Sequence, residues 1–104
     1  SKKTSQPKPV FIKFDNPPEQ KIPISPLYPL AEEKNGIEGV AYIQFKIGIS
    51  GDVTECYVGK SSGNENLDQA AVDAVRNSKW APAQNQGKPV SVWQIIPVEF
   101  KLTN

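Results

Sequence analysis

From Gly39 the chain alternates strictly, with Ala41, Ile43, Phe45, Ile47 and Ile49 on one side and Tyr42, Gln44 and Lys46 on the other. A period of two belongs to a strand with one buried face, because successive side chains leave a pleated backbone in opposite directions. Ser50-Gly51-Asp52 reads as a tight turn, and Val53 to Lys60 resumes β-favouring residues, so the two runs predict a β-hairpin. The apolar phase slips by one between Val53 and the Cys56, Val58 pair, which a β-bulge reconciles. After Ser61-Ser62-Gly63 the period changes: Leu67, Ala71, Ala74, Val75 and Ser78 recur at helical spacing, predicting a helix over Leu67 to Lys79. Asn64 or Asn66 suits its N-cap, Asp68 its positive end, and Arg76 and Lys79 its negative end. Pro82 stops it soon after Trp80, and Asn85-Gln86-Gly87-Lys88-Pro89 turns the chain into a last strand, Val90 to Leu102. There Val90, Val92, Ile96, Val98, Phe100 and Leu102 share a face, opposite Ser91, Trp93, Glu99 and Lys101. Pro97 cannot donate to a ladder, which places this strand at a sheet margin. So long a margin is a liability unless something pairs with it or covers it.

The start of the chain has no such periodicity. Seven of the ten prolines lie in the first 29 residues, together with Lys2, Lys3, Lys8, Lys13 and Lys21. Proline fixes φ and removes backbone donors, so residues 1–21 read as an extended, semi-rigid linker and residues 22–104 as the compact domain. Val10, Phe11, Ile12 and Phe14 interrupt the linker with a short apolar patch able to dock as a strand.

Composition narrows the chemistry. A chain of 104 residues holds one core. A net charge of +1, without a basic stripe interleaved with aromatics, argues against nucleic acid as a partner. The absence of histidine removes the commonest general base and the commonest metal ligand, and the single Cys56 allows no disulfide framework within the chain. Cys56 alternates with Val58 and reads as a buried thiol. Ser61-Ser62 reads as a turn rather than a nucleophile, since there is no histidine and no Gly-x-Ser-x-Gly elbow. Glu32-Glu33 and Glu65/Asp68 read as solvated helix-start charges, so no metal and no cofactor are expected, and no enzyme activity. No apolar run reaches the roughly 20 residues that span a bilayer.

Several ordered pieces resemble the TonB C-terminal domain family. Pro26-Leu27-Tyr28-Pro29-Leu30-Ala31 resembles its Tyr-Pro motif, and Ile37-Glu38-Gly39-Val40-Ala41-Tyr42-Ile43-Gln44-Phe45 its first strand. Gly51-Asp52-Val53 and Ser61-Ser62-Gly63 match its hairpin turn and the exit from its second strand. Leu67-Asp68-Gln69-Ala70-Ala71 followed by Trp80-Ala81-Pro82-Ala83 resembles its helix and helix stop; Gly87-Lys88-Pro89-Val90 with Pro97-Val98-Glu99-Phe100 resembles its last strand. The resemblance runs from about Ile22 to Leu102 and rests on the order of these pieces.

The resemblance implies an α+β fold, ββαβ, in which a three-stranded antiparallel sheet carries one main helix on one face. It implies the periplasmic end of an energy transducer anchored in the inner membrane by an N-terminal helix and coupled there to a proton-driven motor complex. Its partner would be a TonB-dependent outer-membrane transporter, whose TonB-box peptide adds as a strand, for uptake of cargo such as siderophore, haem or vitamin. Carried onto this chain, the contact set is Ser25, Pro26, Leu27 and Tyr28 with Val92, Trp93, Gln94, Ile95, Ile96 and Val98. A Gln often stands in the family where Ser25 or Leu27 stands here. On the residues themselves, Tyr28 favours a buried ring with its hydroxyl on backbone, Trp80 is core, and Trp93 is either a partner anchor or a face residue. Two other functions remain open: a ligand-binding appendage of a membrane signalling protein or peptidase, and a homodimer self-paired at the margin.

Overall fold

The computed structural model describes residues 14–103. Its main sheet has three antiparallel strands in the order β3-β2-β7: β2 (Gly39–Ile47) is central, β3 (Val53–Lys60) lies on one side and β7 (Val92–Phe100) on the other. The helix α2 (Glu65–Arg76) covers one face, so the expected α+β architecture, one main helix on a three-stranded antiparallel sheet, is the observed one. Short elements frame it: β1 (Glu19–Ile22) pairs with β4 (Lys79–Ala81), β5 (Ala83–Asn85) with β6 (Lys88–Val90), and α1 (Leu30–Lys34) follows Pro29. No helix among the described residues is long and apolar enough to cross a membrane.

The alternation in β2 does what its period requires. Ala41, Ile43, Phe45 and Ile47 are fully buried against Leu67, Ala71 and Val75 of α2, while Tyr42 stays exposed. Ile49 departs from the expected inner face: β2 ends at Ile47, the Gly48 amide turns to the Asp52 carbonyl at 2.9 Å, and Ile49 is left exposed in the turn. The β2–β3 ladder slips twice, at Lys46↔Glu55 to Ile47↔Val53 and at Tyr42↔Lys60 to Ile43↔Val58. The first slip is the bulge the sequence requires, and it returns Cys56 and Val58 to the core side.

Three other expectations are corrected. The helix spans Glu65–Arg76, shifted toward the N-terminus, because Asn64 Oδ1 accepts from the Leu67 amide at 3.0 Å and Asn77 already caps the other end; Lys79 and Trp80 are in β4. The last strand is broken at Ser91: Lys88–Val90 closes a hairpin with β5, and only Val92–Phe100 joins the sheet. Glu32 is buried rather than solvated, its Oε2 accepting from Asn66 Nδ2 at 2.7 Å and Asn64 Nδ2 at 3.4 Å, which ties α1 to the start of α2.

Two carboxylates pin the turns. Asp68 accepts from Ser61 Oγ at 2.5 Å, the Ser62 amide at 2.8 Å and Ser62 Oγ at 2.7 Å; Asp52 accepts from Lys79 Nζ at 2.7 Å. Burial alone would raise the Asp68 carboxyl, but its three donors outweigh it and hold it below the ordinary 3.8; the Lys79 hydrogen bond and charge do the same for Asp52. A carboxylate lowered by folding contributes stability that is complete above 3.8 and lost as pH falls below it, because the unfolded chain then binds more protons. The thermal midpoint should therefore hold on acidification until about that pH and then drop. Asp68→Asn should flatten that acid limb, as checked by melting curves across the acid range.

Candidate functional site: the open margin of the sheet

Pro97 decides how β7 presents its backbone. The ladder with β2 runs unbroken from Gly39↔Phe100 to Ile47↔Val92 and includes Tyr42↔Pro97. Opposed residues in an antiparallel ladder alternate between pairs that exchange both bonds and pairs that exchange none. Pro97 has no N–H, so its pair is of the second kind. It follows that Val92, Gln94, Ile96, Val98 and Phe100 bond to β2, whereas Trp93, Ile95, Pro97 and Glu99 turn their main-chain groups away from it. The outer margin thus carries three donors, the amides of Trp93, Ile95 and Glu99, and the four carbonyls of Trp93, Ile95, Pro97 and Glu99. No strand pairs with this margin among the described residues. From Trp93 to Glu99 it extends roughly 20 Å at strand rise.

A groove of about 440 Å³ lies beside it. Its apolar lining comes from Ile24 and Pro26 on the N-terminal side and from Ile96, Pro97 and Val98 on the strand; Gln20 and Glu99 supply the polar groups. Chain geometry explains the N-terminal wall. β1 is clamped by Glu19↔Ala81 and Gln20↔Trp80, with Asn16 further bridged to Gln84, and Ile24 and Tyr28 pack on the core. Tyr28 donates its hydroxyl hydrogen to the Ile37 carbonyl and sets its ring edge-on to Phe100 at 5.4 Å. Burial, with Glu38 and Glu33 adding to it, pushes the Tyr28 phenol above its ordinary value.

The residues singled out from the sequence therefore fall into separate places. Pro26, Ile96 and Val98 line the groove. Ile95 is exposed on the margin, and Gln94 bonds to β2 opposite Phe45. Ser25 and Leu27, alternating with Pro26, face a depression against Ala70, Asp73 and Ala74 of α2 and its capping residue Asn77, and Leu27 is 85% exposed. Tyr28 holds the Tyr-Pro segment onto the end of β7. Trp93 is half-buried, stacked on Tyr57 at 6.1 Å across the solvent face of the sheet. Trp80 meets Phe45 at 5.6 Å and donates Nε1–H to Ser78 Oγ at 3.0 Å, as a core residue does. Half-buried Cys56, its thiol pushed up by burial, sits 3.7 Å from the Val72 carbonyl. Gln20 was not legible as a site residue: β1 is exposed throughout, and nothing local marks its pairing with β4. The apolar patch at Val10, Phe11 and Ile12 lies outside the described residues, and Phe14 is exposed.

Residues 24–102 match the model of the Gram-negative bacterial TonB protein C-terminal family. The chain belongs to this family. Protein tonB2 of Pseudomonas aeruginosa is 40% identical over 78 residues, 75% of this chain and 29% of that protein. Protein TonB of Vibrio cholerae is 35% identical over 99 residues, 95% of this chain and 39% of that protein. The chain thus spans less than half the length of these TonB relatives. Among solved structures, the TonB C-terminal domain of Pseudomonas aeruginosa superposes with a TM-score of 0.74 at 23% identity, covering 86% of this chain and 91% of that one, which speaks for the fold alone. The TonB C-terminal domain of Helicobacter pylori aligns with a TM-score of 0.61 at 28% identity over 75% of this chain and 70% of that one.

Proposed function

We propose that this TonB-family domain is the periplasmic end of an energy transducer, and that it grips an outer-membrane transporter by taking the transporter's TonB-box peptide as a fourth strand on the outer margin of β7. The carrying observation is that this margin leaves three amides and four carbonyls unpaired by any strand among the described residues, next to a groove walled by the segment before Tyr28-Pro29. Recognition by strand addition takes its affinity from main-chain bonds and its selectivity from the flanking pockets. Up to seven such bonds at a net ~0.5–1.5 kcal/mol each only modestly exceed the cost of association, so the contact is weak, in the micromolar range. A pull along the strand loads these bonds together in shear. The segment ahead of Asn16 and β1 would carry that pull from an inner-membrane motor as a spacer, toward uptake of cargo such as a siderophore, haem or vitamin.

Titrating TonB-box peptides into the isotope-labelled chain tests this. Amide shifts should cluster at Trp93, Ile95, Glu99 and residues 20–26, leaving the β3 margin unmoved. A panel of such peptides that moves none of these amides overturns the proposal. A second copy of the chain on the same margin is the competing occupant, and it would appear as a concentration-dependent mass in sedimentation without any peptide.

A further inference from the structure

A strand added to β7 meets one interruption. Opposite Pro97 the guest can donate to the Pro97 carbonyl, but its own carbonyl finds no amide, whichever direction the guest runs, since the missing donor belongs to β7. A carbonyl left without a donor beside an apolar wall forfeits the bond and much of its hydration. The groove at this point is lined by Ile24, Pro26, Ile96 and Val98, which offer no side-chain donor, and by Glu99, whose carboxylate only accepts. Gln20 is the one remaining lining residue, and its carboxamide carries two N–H donors. Its side chain is exposed, yet its backbone is fixed in β1 opposite Trp80, so the donor is mounted on a held strand.

Resting on the strand-addition reading, we infer that Gln20 is a positioning residue for the guest peptide: its Nε2 donates to the guest carbonyl that Pro97 leaves unmatched. The pair sets the register, because only one guest residue at a time can place its carbonyl between Pro97 and Gln20. Sliding the guest by two residues presents a different carbonyl there, and the residues flanking that carbonyl must then suit the apolar wall.

A double-mutant cycle decides the matter, using the TonB-box peptide that gives the strongest amide response. Gln20→Ala should weaken its binding about three- to tenfold, the loss of one such hydrogen bond, and Gln20→Glu at least as much, since a carboxylate cannot donate. Pro97→Ala gives β7 the missing outward amide; in that background Gln20→Ala should change affinity less than twofold. Amide spectra of each variant without peptide check that β1 remains docked. Unchanged affinity in Gln20→Ala overturns the inference, as does an equal loss in both backgrounds, and either result leaves strand addition standing. Absence of peptide binding by the unsubstituted chain fails the underlying reading itself.

Discussion

Ile95→Pro should reduce peptide affinity about tenfold or more while leaving the fold nearly as stable as before. The Ile95 amide points away from β2, so a proline there removes no bond from the ladder, and its 57% exposed side chain contributes little packing. It removes a donor that a guest strand would use and strands the guest carbonyl opposite. Ile95→Ala, which keeps the amide, should have the smaller effect. Val92→Pro is the counterpart: Val92 is buried, and its amide bonds to β2 opposite Ile47. That variant should lose about 3 kcal/mol of stability or more, lowering the thermal midpoint by more than roughly 10 °C. Isothermal titration and melting curves on the two proteins separate the effects. An Ile95→Pro protein that binds as tightly as the original places the guest elsewhere, and one that unfolds refutes the assignment of alternate amides along β7.

Gly51→Ala should be the most damaging of the small substitutions, costing about 3 kcal/mol. Gly51 has φ +91°, and a Cβ there would sit 2.0 Å from the Trp80 carbonyl oxygen. The neighbouring contacts cannot simply move apart: the Trp80 amide donates to the Gly51 carbonyl at 3.0 Å, and Asp52 bridges Lys79. Gly87 gives the reference. Its φ of +78° carries a similar backbone strain with nothing within 4 Å of a Cβ, so Gly87→Ala should cost only about 1–2 kcal/mol. The difference measured by chemical denaturation isolates the steric part, and equal losses would show that the turn does not lean on β4. Because β4 also holds β1, and β1 carries Gln20, the Gly51→Ala protein should bind peptide less well too.

The elements read correctly from the sequence are those in which local geometry and burial agree. Period two in β2, the phase slip repaired by a bulge in β3, and the Asn64 cap of α2 each follow from residues within a few positions of one another. The break at Ser91 escaped because Val90 and Val92 keep the same phase across it, so the apolar pattern continues where the backbone leaves one small sheet for another. Glu32 escaped because its partners, Asn64 and Asn66, stand more than thirty positions later. In the site, Pro97 announced a margin, while the wall that makes it a groove depends on an exposed, patternless strand pairing with β4.

Side-chain faces, turn positions, the helix and the marginal character of the last strand follow from the order of residues alone, since each is set by the φ/ψ and alternation rules of one local segment. Which strand is central, which margin stays open and which amides turn outward along it were decided by the folded chain. Those properties belong to pairs of segments: β2 becomes central only because residues near 57 and near 95 both come to lie against it, and the outward set is defined only relative to that neighbour.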